Sequence, residues 1–145
     1  MHSRKLGAAL RIAIATLVVS SLLTGCGEMN PLTAYSDLNE LAEELKIEDT
    51  GEVVEEVRYG AASPDDGPHL DYLVQGDDSY EQILESLIAA GFEKKSTLDG
   101  WTSWYRTTKN GTKQHVSVRI AEPGDRFVSE FSVDVQDVGA MVNID

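Results

Sequence analysis

The chain has 145 residues and a formal charge of −13, with 41% hydrophobic and 26% charged residues. That length holds one domain of ordinary size and excludes a multidomain enzyme, while the hydrophobic fraction is that of a folded domain rather than a disordered chain. The acidity argues against unaided binding to nucleic acid or anionic lipid, whose phosphates would repel it.

Arg4 and Lys5 precede an apolar run over residues 12–23, broken only by small or hydroxyl side chains. A spanning helix needs about 20 apolar residues, so this shorter run reads as a cleaved secretion signal. An Arg-Lys pair does not meet the twin-arginine pattern, which makes export of the unfolded chain, without a preloaded cofactor, the expectation. The run closes on Leu23, Thr24, Gly25 and Cys26. This order resembles the lipobox of bacterial lipoproteins, and the resemblance covers residues 1–26. It implies a diacylglycerol group on the Cys26 thiol, cleavage between Gly25 and Cys26, and a mature protein anchored on the extracytoplasmic face of the cell membrane. Two acyl chains anchor stably because each buried methylene contributes about 0.8 kcal/mol. Cys26 is the only cysteine, so no internal disulfide can form and the mature domain has no thiol nucleophile.

Loss of residues 1–25 leaves 9 basic and 25 acidic residues, net −16. The acids are uneven: residues 26–90 hold 17 acidic and 2 basic side chains, whereas residues 91–145 hold 8 and 7. Such a field keeps a tethered domain soluble and standing off an anionic surface, and it also suits docking of a basic protein. No run has the ligand spacing of a calcium loop.

Residues 26–35 read as a lipidated tether, containing Gly27 and Pro31 with no apolar period, and residues 36–145 as a single α+β domain. Leu38, Leu41, Ala42 and Leu45 recur at helical spacing, with Asp37 and Glu40 as cap and reciprocal partner, and predict a helix over residues 37–47. Val53, Val54 and Val57, then Leu70, Tyr72 and Val74, predict two strands joined by a loop of turn formers over residues 63–68. A second helix is expected over residues 79–90. There Asp78 and Glu81 form a capping pair, Tyr80, Ile83, Leu84, Leu87 and Ile88 an apolar stripe, and Gly91 with Phe92 a left-handed stop.

Turn signals at Asp99 and Gly100, at Asn110 and Gly111, and over residues 122–125 divide the rest into a β meander. A two-residue turn at Asn110 and Gly111 would pair Tyr105 with Val116, Ser103 with Val118 and Trp101 with Ile120. The next loop would pair Ile120 with Phe127 and Val116 with Phe131. The expected fold is therefore α+β, an antiparallel meander with two helices packed on one face. In that register Trp104, Arg106, His115, Ser117, Arg119, Val128 and Glu130 share the other face. Trp104, Arg106, His115 and Arg119 form its candidate binding surface, because an indole beside guanidinium groups suits contact with a carboxylate or phosphate.

Chemistry beyond binding has little support in the sequence. His69 and Asp71, with Asp65 or Asp66, could supply metal ligands, but two ligands define no closed site, and the reading is no metal and no cofactor. His69 and His115 are the only histidines left after signal removal, no serine lies in a Gly-x-Ser-x-Gly elbow, and no phosphate-cradling glycine loop is present. The expectation is a non-enzymatic, membrane-anchored domain that engages a protein or envelope component. An acidic inhibitor of a basic protein is the alternative, and a small hydrolase the third reading.

Overall fold

The computed structural model describes residues 35–60, 67–125 and 131–145. Gly25, Cys26, Asp65, Asp66, Phe127, Val128 and Glu130 lie outside the described residues. The elements are α1 (Ser36–Leu45), a 3-10 turn (Ile47–Asp49), β1 (Glu52–Tyr59), β2 (His69–Gln75), α2 (Ser79–Ala89), β3 (Glu93–Leu98), β4 (Trp101–Thr107), β5 (Lys113–Ala121) and β6 (Gly139–Ile144). The strands form one sheet in the order β1-β2-β6-β5-β4-β3, each neighbouring pair antiparallel. The fold is α+β, with both helices packed on one face of the sheet.

The two helices close by different means. α1 stops where Lys46 turns left-handed (φ 53°), and the chain continues into the 3-10 turn, whose Ile47 is buried. Its N-cap is Tyr35 and carries no side-chain bond, so the Asp37 and Glu40 capping pair does not form. Asp78 is the N-cap of α2, again without a side-chain bond; Ser79 Oγ instead donates to Gly76 O at 2.9 Å. At the other end Gly91 N donates to Ile88 O and Phe92 N to Leu87 O. With Gly91 at φ 83°, this is the Schellman stop that the Gly-Phe pair predicts. The α2 stripe buries Ile83 and Leu87, while Ile88 stays 62% exposed.

Beneath the helices, Leu38, Leu41, Leu45, Ile83 and Leu87 meet Tyr72, Val74, Val116, Val118, Val142 and Ile144 in one core. Each fully buried leucine or isoleucine there contributes about 1.5–3 kcal/mol. The opposite face has a smaller cluster of Leu73, Ala121, Val135 and Met141 among the described residues.

Two features of the sheet depart from the expected meander. The last strand, β6, lies in the middle of the sheet between β2 and β5, so Val116 pairs with Ile144 and not with Phe131. The β4-β5 hairpin is also shifted by one residue. It pairs Trp104 with Val116 and Tyr105 with His115. Gly111 N donates to Thr108 O at 2.9 Å, Thr108 N donates to Thr112 O at 2.8 Å, and Gly111 has φ 87° whereas Asn110 does not take positive φ. This is a three-residue loop, a type I turn followed by a left-handed glycine, in place of the two-residue turn with both residues left-handed. One extra loop residue moves every β4 side chain to the other face.

Candidate functional site

The register shift separates the four residues of the expected binding surface. Trp104 is 6% exposed in the helix-side core, and its Nε1 donates to Thr102 Oγ1, which in turn donates to Val118 O. It is a core residue and not an exposed anchor. Arg106 shares that side at the sheet margin, where it donates to Glu44 of α1 through both terminal nitrogens, to Ala90 O at 2.8 Å and to Gln114 Oε1 at 2.6 Å. Its guanidinium also lies 4.7 Å from the centre of the Phe92 ring. With these partners Arg106 holds α1 and the end of α2 to the sheet, which corrects its assignment to a free surface.

The hydrogen bond and charge of Arg106 hold the Glu44 carboxyl below its ordinary value, and Glu44 raises the arginine in return. A lowered carboxylate stabilises the fold above its unfolded value of 4.5, and that contribution is lost as the pH falls through the folded value. Glu44→Gln is therefore expected to remove part of the acid-side loss of stability in urea melts between pH 6 and pH 3. The effect should stay below about 1 kcal/mol because solvent reaches the carboxylate. Arg106→Ala should cost more, about 2 kcal/mol at neutral pH, because it also strips Ala90 O and Gln114 of their donor.

His115 and Arg119 do lie on the outer face, in company the sequence did not disclose. Side chains from four strands and from the residue after a fifth form one row across it: Tyr105 on β4, His115 on β5, Asp145 after β6, His69 on β2 and Tyr59 on β1. The Tyr105 and His115 rings stack at 4.3 Å and 19°, and Tyr59 and His69 at 4.9 Å and 10°. Asp145 sits between the imidazoles, with Oδ1 2.6 Å from His115 Nδ1 and Oδ2 3.8 Å from His69 Nδ1. His69 Nδ1 is buried and has no hydrogen-bond partner among the described residues.

A second row runs beside the first. Ser103 and Ser117 face each other, Oγ to Oγ, at 3.4 Å, and Asn143 Nδ2 donates to Asp71 Oδ1 at 2.6 Å and to Tyr59 Oη at 3.3 Å. Asp71 is 5% exposed, and its carboxylate accepts the bond from Asn143 within the sheet face. Among the described residues no three His, Cys, Asp or Glu side chains converge on a point that could hold a metal ion. Arg119 continues along the same face and pairs with Asp125 at 3.3 Å. The rows enclose a depression of about 280 Å³, walled by Trp101 and Met141 and floored by Ser117, Asn143, Asp71 and Asp145. That is room for one small ring or side chain, at the lower end of ligand sites.

Proton positions follow from the donors. A carboxylate only accepts, so His115 Nδ1 carries the proton toward Asp145; in the neutral ring Nε2 is then the acceptor for Ser117 Oγ at 3.1 Å. Ser117, His115 and Asp145 thus stand in the order of nucleophile, base and orienting acid. What they lack is an oxyanion partner: Ser117 sits in a strand paired on both sides, with Ser103 and with Asn143, so its neighbouring backbone N–H groups are committed to the sheet. Sequence reasoning placed Ser117 beside His115 but missed Asp145, because the strand that delivers it had not been recognised. Comparison with protein-family models, with curated proteins and with solved structures returns no match for this chain.

Proposed function

We propose that the chain is an extracytoplasmic lipoprotein, anchored through Cys26, that presents a small acidic binding domain at the cell envelope and engages a protein or envelope component through the outer face of its sheet. The observation that carries the binding half is the Tyr105, His115, Asp145, His69, Tyr59 row, a preorganised aromatic and polar surface beside the smaller apolar cluster. Stacked rings and mutually bonded side chains lose little entropy on contact, which makes such a surface efficient for recognition. The anchoring half rests on the resemblance of Leu23, Thr24, Gly25 and Cys26 to a lipobox. Among the described residues no helix is long and apolar enough to cross a membrane.

Both halves have separate readouts. Mass spectrometry of the mature wild-type chain should find it beginning at a diacylglyceryl-modified Cys26, and Cys26→Ser should abolish both cleavage and lipid while the domain still folds. Cross-linking on intact cells should give a partner adduct that Trp101→Ala and His115→Ala weaken together. An unlipidated wild-type chain would defeat the anchoring, and adducts indifferent to both outer-face variants would defeat the binding surface. The second reading, an inhibitor of a basic protein, is favoured by the acidity around α1 and β1.

A further inference from the structure

On the helix side of the sheet, opposite the row, a groove of about 440 Å³ runs between α1 and β1. Glu43, Glu48, Asp49 and Glu56 line it against only Lys46 and Arg58, and Arg58 Nε is already bound to Glu56 Oε1 at 2.5 Å. Tyr72 also lines it; this side chain is only 3% exposed, and its hydroxyl has no hydrogen-bond partner among the described residues. The ring is buried while the hydroxyl faces the groove, where a donor entering it can reach the oxygen. Burial first, then Glu56, with Glu48 and Glu43 adding to it against Arg58, push the Tyr72 phenol up to about 12. Acids outnumber bases around that hydroxyl, and a positively charged donor entering the groove would meet both the oxygen and the acids.

The groove opens at the margin of the sheet. Among the described residues β1 is an edge strand, paired with β2 alone, and a bulge between Val53 and Glu55 leaves its second half as the regular stretch. Edge strands are commonly guarded by lysine or proline. β3, the other edge, has Lys94 and Lys95, whereas β1 has neither residue type and contains Glu52 and Glu56; its Glu55 carboxylate is taken up by Ser132 and Val133, which donate to it. Those acids oppose pairing with the β1 of a second copy and favour a basic strand.

The geometry points to this groove as the docking site for a basic, extended segment of a protein partner, which adds to the edge of β1 and places one arginine or lysine side chain against Tyr72, Glu43, Glu48 and Glu56. Main-chain bonds along β1 would supply affinity, and the acidic groove would select the charged side chain. This surface rests on the reading of the domain as a binding module. It lies on the opposite face from the His115 row, so failure of either surface leaves the other standing.

The test uses the full chain in neutral detergent micelles with a synthetic octapeptide of alternating arginine and threonine, followed by calorimetry and amide chemical shifts. A glutamate-threonine octapeptide serves as the charge control. Saturable binding is expected at 50 mM salt, weakening about tenfold or more at 300 mM, with shifts concentrated in β1 and α1. Glu48→Gln with Glu56→Gln should weaken it about tenfold, whereas Glu81→Gln with Glu122→Gln, which removes the same charge elsewhere, should change it less than about twofold. Tyr72→Phe should weaken binding several-fold with no loss of thermal stability, since the hydroxyl has no partner among the described residues. Absence of saturable binding at 50 mM salt, equal binding of the two octapeptides, shifts spread over α2 and the outer face, or self-association of the chain through β1 would each overturn the inference.

Discussion

Trp104→Ala is expected to cost about 3–5 kcal/mol of stability and to leave the domain largely unfolded or close to it. The indole is buried between the helices and the sheet and packs in the same cluster as Val116 and Val118. Truncation removes its apolar area, leaves a void that rigid neighbours cannot fill, and strips the Nε1 bond to Thr102 Oγ1. Thermal unfolding followed by circular dichroism should show a fall in Tm of more than about 10 °C. Trp104→Phe, which keeps most of the volume and loses the hydrogen bond, should cost roughly 1–2 kcal/mol. An unchanged Tm in Trp104→Ala would mean that Trp104 faces solvent, as the two-residue hairpin would have it, and that the β4 register is wrong.

Gly139→Ala is the second large effect, and its origin is backbone proximity. A Cβ on Gly139 would lie 2.0 Å from Val74 O and 3.0 Å from Gln75 Cα. Both are main-chain atoms of β2, so neither can swing aside. Gly139 pairs with Gln75 on one side and Ala121 on the other, and the adjoining Val138 O accepts from Gly76 N at 3.0 Å. Relief requires β6 to separate from β2 at the point where it enters the sheet, at a cost of about 3 kcal/mol. Hydrogen exchange should then report faster opening of the β2 amides nearest Gly139 than of those near Leu70, which pairs at the far end with Ile144. Uniform protection along β2 would refute the close contact.

How far the sequence carried depended on the range of the interactions involved. α2 was legible almost residue by residue, because a stripe at Ile83 and Leu87 and a stop at Gly91 and Phe92 are decided within a few positions of chain. The turn at Asp99 and Gly100 was equally plain: both residues take positive φ, and Leu98 pairs with Trp101 across them. Asn110 and Gly111 carry the same kind of signal and yield a different loop. Asn-Gly is compatible with two loop lengths, and the choice between them fixes which side chains meet the core. β6 escaped notice for another reason. Its Ala-Met-Val-Asn-Ile run is buried on both faces, so it lacks the alternation that marks a half-exposed strand.

The sequence by itself determined the composition class, the acidic first half, two helices with their apolar stripes, and an antiparallel sheet between turn formers. These are local properties, written in spacings of two, three and four residues. Only the tertiary structure decided which residues form the site. Tyr59 and His69 meet across the β1-β2 pair, and they join His115 and Asp145, far along the chain, because β6 inserts between β2 and β5. That insertion follows from burial on both faces of a glycine-led strand. The same long-range packing took Trp104 inward, bound Arg106 to Glu44, and left the Tyr72 hydroxyl facing an acidic groove.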